Sequence, residues 1–132
     1  MLKYLLDTNM CIFTIKNKPI HVRKHFNLNS SSLCISSITL SELIHGAEKS
    51  QTPALNLKVL EGFIARLDVL NYDLAAAVHS GQIRAESNQQ GIYIGHFDMM
   101  IAGHARSQGL IIATNNTQRF EHVKGLRIEN WS

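Results

Sequence analysis

Asp7 closes the apolar run Tyr4-Leu5-Leu6, Glu42 follows Thr39-Leu40-Ser41, Asp98 opens Met99-Met100-Ile101-Ala102, and Thr114-Asn115-Asn116 follows Leu110-Ile111-Ile112-Ala113. A carboxylate next to a core-forming segment needs a cation or hydrogen-bond donors, because an ionised group stripped of water is strongly disfavoured unless something replaces that water. Oxygen ligands of this kind suit a hard divalent cation. The partner in view is a divalent metal ion.

Each stretch also has a plainer structural reading. Asp7, Thr8 and Asn9 are all good helix caps, so a cap and a functional site stand level for Asp7. Thr39-Leu40-Ser41-Glu42 matches a capping box, with Glu42 roughly opposite the apolar face formed by Leu40, Leu43, Ile44 and Ala47, and there the capping reading is favoured. Asp98 shares a helix face with Ile101, Ala102 and Ala105, so it would cap its helix from a buried edge. Thr114-Asn115-Asn116 is equally well read as a turn.

Short apolar runs alternating with amphipathic segments must hold these residues. Lys3 to Leu6, Leu33 to Ser36, Asp68 to Tyr72, Leu110 to Ala113 and Arg127 to Asn130 read as strands, most of them nearly continuous in apolar character. Helices are predicted at about Thr8 to Lys16, Pro19 to Asn27, Thr39 to Lys49, Pro53 to Arg66, Asp73 to Gln90 and Asp98 to Ser107. Strands alternating with helices predict an α/β fold with a parallel sheet between helical layers and the reacting groups at the carboxyl ends of the strands.

The 132 residues fit one domain, 1–132, and their composition (45% hydrophobic, 17% charged) is that of a compact protein without low-complexity tracts. No run approaches membrane-spanning length and the amino terminus lacks the apolar core of a signal peptide, so a cytoplasmic protein without membrane attachment is expected. Cys11 and Cys34 lie among apolar neighbours and read as buried thiols. The net charge of +3 is a mild bias toward polyanions. Lys16, Lys18, Arg23 and Lys24 load one early stretch with positive charge, read either as a solvated face or as a contact for a polyanion. His21 and His25 lack a third ligand and read as solvated. No P-loop or glycine-rich nucleotide cradle follows a strand, and Asn9 stands where a two-aspartate phosphatase motif would need its second acid.

Leu6-Asp7-Thr8-Asn9, Ser41-Glu42-Leu43, Phe97-Asp98 with Ile101-Ala102, and Thr114-Asn115-Asn116 with Phe120 resemble the PIN domain in order, spacing and context. The whole chain, Met1 to Ser132, is similar to the VapC toxins of bacterial type II toxin–antitoxin systems. The resemblance implies a PIN-like three-layer α/β/α sandwich with a mainly parallel sheet of about five strands. It also implies a metal-dependent endoribonuclease that inhibits translation by cleaving RNA. The expected substrate is tRNA, with initiator tRNA a first test, and the expected cofactor is Mg2+, for which Mn2+ substitutes. Asp7, Glu42 and Asp98 would hold the ion, directly or through water, and Asn116 joins them where many relatives carry Asp. Thr8, Asn9, Thr114 and Asn115 would support the site. The implied partners are an RNA substrate, a cognate VapB-type antitoxin whose carboxyl-terminal segment fills the acidic groove, and a second copy of the chain, with a larger assembly when antitoxin is bound.

Two departures qualify the carry-over. Asn116 adds no charge, which favours one ion over two. Arg119 stands where close relatives tend to have Glu, and a cation there either opposes metal binding or contacts RNA phosphate. The alternative reading is a weakly active or inactive PIN-like module that binds RNA or antitoxin through the same groove. Metal-dependent cleavage abolished by changing Asp7 separates the two.

Overall fold

The structure, a computed structural model, describes residues 1–16 and 20–131, with residues 20 and 21 described in their backbone only. The most apolar runs form the middle of the sheet. Strand β1 (Tyr4–Leu6) and strand β2 (Leu33–Ser36) are buried at every position, and β4 (Ile111–Thr114) nearly so. The edges, β3 (Asp68–Leu70) and β5 (Arg127–Asn130), are more exposed. The order is β3-β2-β1-β4-β5, and every neighbouring pair is parallel. Leu5 of β1 registers with Cys34 on one side and Ile112 on the other.

Period-two alternation splits the interior into two cores. Tyr4, Leu6, Leu33, Ile35 and Ala113 face one side. They pack there with residues of α1 (Thr8–Lys16), α2 (Ile20–Leu28), α3 (Ser37–Glu48) and α4 (Pro53–Ile64). Leu5, Cys34 and Ile112 face the other side, against Ile83 of α5 (Leu74–Gln89) and Ile101, Ala102 and Ala105 of α6 (His96–Gln108). The result is the three-layer α/β/α sandwich that the resemblance implied. Helices α5 and α6 approach closely: a Cβ added at Gly103 would lie 2.6 Å from the Ser80 amide nitrogen and 2.7 Å from its Cα. Helix α6 ends on Gly109 at φ 67°, a left-handed cap that glycine adopts without strain.

Several expectations shift. Helix α3 starts at Ser37, not Thr39, because the Ser36 hydroxyl at the end of β2 accepts the Ile38 N–H at 3.1 Å. Thr39 and Glu42 therefore lie inside the helix and form no capping box. Helix α6 starts at His96, so Asp98 sits in its first turn and is not its cap. Strand β3 stops at Leu70, two residues short of the expected Tyr72, whose N–H turns to the Ser37 hydroxyl at 3.0 Å. His25 is half-buried rather than solvated, its ring stacked on Trp131 at a centroid distance of 5.2 Å. Cys11 and Cys34 are buried free thiols as expected, and burial pushes Cys34 up to about 12. Among the described residues no helix is long and apolar enough to cross a membrane.

Candidate active site

The chain runs from β1 outward to β2 and β3, then crosses to build β4 and β5 on the opposite side of β1. The carboxyl ends of β1 and β4 thus border the crevice where connections diverge, the usual ligand position in open α/β sheets. Asp7 leaves β1 there, and its N–H bonds the Ala113 carbonyl of β4 at 3.2 Å. Its Oδ1 accepts the Met10 N–H at 2.9 Å, so Asp7 is also the cap of α1. Both sequence readings of Asp7 are compatible in one residue, because a carboxylate has two oxygens.

The second oxygen, Oδ2, faces Arg119 Nη2 at 2.8 Å. Arg119 Nη1 reaches Asp98 Oδ1 at 3.3 Å, so one guanidinium bridges two acids delivered by different layers. Asp7 is buried, with its side chain 1% exposed, whereas Asp98 and Arg119 are 22% and 28% exposed. Burial pushes the Asp7 carboxyl above its ordinary value despite the Thr114 hydroxyl, the Met10 N–H and the Arg119 charge. Burial also raises Asp98, with Arg119 opposing it. Arg119 Nε is buried and has no hydrogen-bond partner among the described residues.

Glu42 is placed differently. It is half-buried on α3 and accepts the Thr8 hydroxyl at 2.7 Å, and Thr8 lies 3.4 Å from the buried Thr39 hydroxyl. The acids that meet on one cation are Asp7 and Asp98, and among the described residues no three His, Cys, Asp or Glu side chains gather as metal ligands. Two carboxylates directed at one cation still fit Mg2+ or Mn2+, which take the rest of their shell from water and phosphate. Asn116, expected beside the acids, is exposed, and its Oδ1 accepts the Gln118 N–H at 3.2 Å, capping the short turn Thr117–Arg119 that presents Arg119. Thr114 is buried and holds Asp7 and the Asn116 N–H, Asn115 Oδ1 is buried without a partner among the described residues, and Asn9 is half-buried on α1.

The basic stretch divides. Lys16 lines a groove of about 410 Å³ with Glu42, against Ile12, Ile15, Leu43 and Val59. Arg23 lines a neighbouring cleft beside Arg66, Lys24 is exposed on α2, and Lys18 lies outside the described residues. Arg119, expected toward RNA or against metal, is paired with the acids themselves. Sequence reading missed the Thr8–Glu42 link and the buried His104, whose Nδ1 lies 2.8 Å from the Ser36 hydroxyl that caps α3. A hydroxyl immediately after Asp7 was the available signal for the first, and nothing in the sequence pointed to the second.

The PIN domain family matches residues 4–126, and this is the class that the sheet order and the carboxylates at its crevice define. A protein of Shigella flexneri named tRNA(fMet)-specific endonuclease VapC is 68% identical, with 100% of each chain covered. A protein of the same name from Salmonella typhimurium is 63% identical, with 99% of each chain covered. The crystal structure of DNA-bound VapBC from Salmonella typhimurium superposes with a TM-score of 0.96 at 63% identity, covering 100% of each chain. The chain belongs to the VapC branch of the PIN-domain family.

Proposed function

We propose that the protein is the toxin of a VapBC-type toxin–antitoxin pair, a Mg2+-dependent endoribonuclease, with Mn2+ able to substitute, that cleaves tRNA and so inhibits translation. Initiator tRNA is the first candidate, because relatives 68% and 63% identical over essentially their whole length carry tRNA(fMet) in their names. The observation that carries the chemistry is the pair Asp7 and Asp98, brought from β1 and α6 onto one cation at the sheet's crevice. The chain acts as a single domain, in the cytoplasm where tRNA and antitoxin are found.

Asp7 and Asp98 would hold the divalent ion, with Glu42 reaching it through water. Once bound, the ion supplies a water of lowered pKa and Lewis-acid stabilisation of phosphoryl charge. The Thr114 hydroxyl and Met10 N–H fix Asp7, so the oxygen it shares with Arg119 stays directed into the crevice. The Thr8 hydroxyl fixes Glu42 in the same way. Asn116 acts as the cap that shapes the turn carrying Arg119, while Asn9, Thr114 and Asn115 frame the pocket. Lys16, Arg23 and Lys24, with Lys18, guide RNA phosphates toward the acids. Cleavage leaves 5′-phosphate and 3′-hydroxyl ends.

The apolar groove that includes Glu42 and Lys16 supports a VapB-type antitoxin segment reaching the site, and a homodimer is the assembly proposed, enlarged when antitoxin binds. Sequencing RNA 5′ ends after brief expression tests the whole reading. Cuts clustered in one tRNA, absent for Asp7→Asn, are expected. Cuts that persist in the variant, or no cuts with folded protein, would leave only an RNA- or antitoxin-binding module.

A further inference from the structure

Arg119 already supplies the positive charge that the crevice requires. Its two terminal nitrogens divide between Asp7 at 2.8 Å and Asp98 at 3.3 Å, bridging the pair rather than forking onto one carboxylate. We propose that Arg119 is an internal competitor for the divalent ion: the guanidinium and the ion claim the same carboxylate oxygens, so the ion binds only when Arg119 swings away. The proposal rests on Asp7 and Asp98 as the metal ligands.

Three observations support it. Guanidinium cannot lose its proton in a protein, so repulsion between it and an arriving cation is relieved only by movement. Arg119 has somewhere to go, since its side chain is 28% exposed and is carried by a three-residue turn rather than a long helix. Among the described residues few other interactions hold its head: Nε has no hydrogen-bond partner, and the guanidinium carbon lies 5.5 Å from the Phe120 ring centroid. The carboxylates are therefore the main restraint on Arg119, as Arg119 is their main compensating charge. Each claimant lowers the occupancy of the other, reciprocally.

Calorimetric titration of Mn2+ into the metal-free full-length chain tests this in wild type, Arg119→Gln, Arg119→Lys, and Asp7→Asn combined with Arg119→Gln. Arg119→Gln is expected to bind Mn2+ about tenfold more tightly, since a competitor filling the pair about nine-tenths of the time reduces apparent affinity by that factor. Arg119→Lys should fall between, as lysine keeps the charge but cannot bridge. Guanidinium ion at low millimolar concentration should weaken Mn2+ binding by Arg119→Gln and leave wild type unchanged, an effect that a merely structural arginine would not produce. Equal or weaker Mn2+ binding by Arg119→Gln overturns the proposal, as does indifference to guanidinium. If Arg119→Gln does not fold, Arg119→Lys decides by the same comparison. Should the double variant bind Mn2+ as tightly as Arg119→Gln, the assignment of Asp7 as a ligand fails, and the competitor role with it.

Discussion

The two flanks of the crevice are built on different physics. On the β4 side, Asp7 and Asp98 are compensated by a full charge, the guanidinium of Arg119. On the α3 side, Glu42 is held by a neutral hydroxyl, Thr8, backed by Thr39. A cation-compensated pair is strongly affected when its cation changes, whereas a hydroxyl-held carboxylate is indifferent to it. The first flank is suited to exchanging cations, and the second to orienting one oxygen donor.

The largest effect should follow from breaking the charged flank. Asp7→Asn is expected to lower Mg2+-dependent cleavage by about 10²-fold or more, the order of loss when a charge-stabilising group leaves an active site. Its melting temperature at neutral pH should hold or rise, because burial already disfavours the ionised carboxyl. Asp98→Asn should follow closely in activity. Cleavage assays beside thermal melts, in Mg2+ and in EDTA, check both, and retained cleavage by either variant would equate the flanks.

Breaking the hydroxyl flank should do less. Glu42→Gln and Thr8→Val are each expected to reduce cleavage about tenfold, toward the lower end for groups that orient or support a metal site. The double variant should fall short of the product of the two, because both act on one contact. Independent, multiplying losses would show that Thr8 does not act through Glu42.

The flanks should also differ in their response to acid. Asp7 and Asp98 have raised folded values, so between the ordinary aspartate value of 3.8 and the raised one the folded state holds more protons than the unfolded chain. Their contribution to stability is therefore full below the ordinary value and is lost as pH climbs through the folded value. His104, lowered by burial, acts oppositely: its contribution is present above the ordinary histidine value of 6.5 and is lost as pH falls through its folded value. Subtracting melting curves of Asp7→Asn from wild type in EDTA isolates the aspartate part. A difference that does not change with pH contradicts the raised value.

The smallest effect concerns approach to the site. Neutralising Lys16 and Lys24 should shrink the salt dependence of RNA binding by about one released counterion per lost phosphate contact, with cleavage at saturating RNA little changed. An unaltered salt slope returns these lysines to a solvated face.

The layers were legible because the buried strands are nearly continuous in apolar character, which only a sheet covered on both faces explains. The start of α3 was less so. Its cap, Ser36, is the last residue of a strand, while Thr39 and Glu42 imitate a capping box two residues too late. Asp98 was read onto the correct face but at the wrong helical position, since α6 begins at His96 behind Gly95. The Arg119–Asp7 contact spans 112 positions, a separation across which spacing carries no information. Only the sheet order, which sets the ends of β1 and β4 side by side, brings the two together.

The seam between Gly103 and Ser80 bears on how the crevice opens. With no room for even a methyl group there, α5 and α6 are joined like two laminated planks. Asp98 rides on that laminate, while Asp7 is fixed to the central strand by its bond to Ala113. The separation of the two carboxylates is thus the opening of a caliper, with the sheet as one jaw and the helical pair as the other. A side chain forced into the seam would act as a shim, altering the gauge of the opening from a position on the far side of the helix.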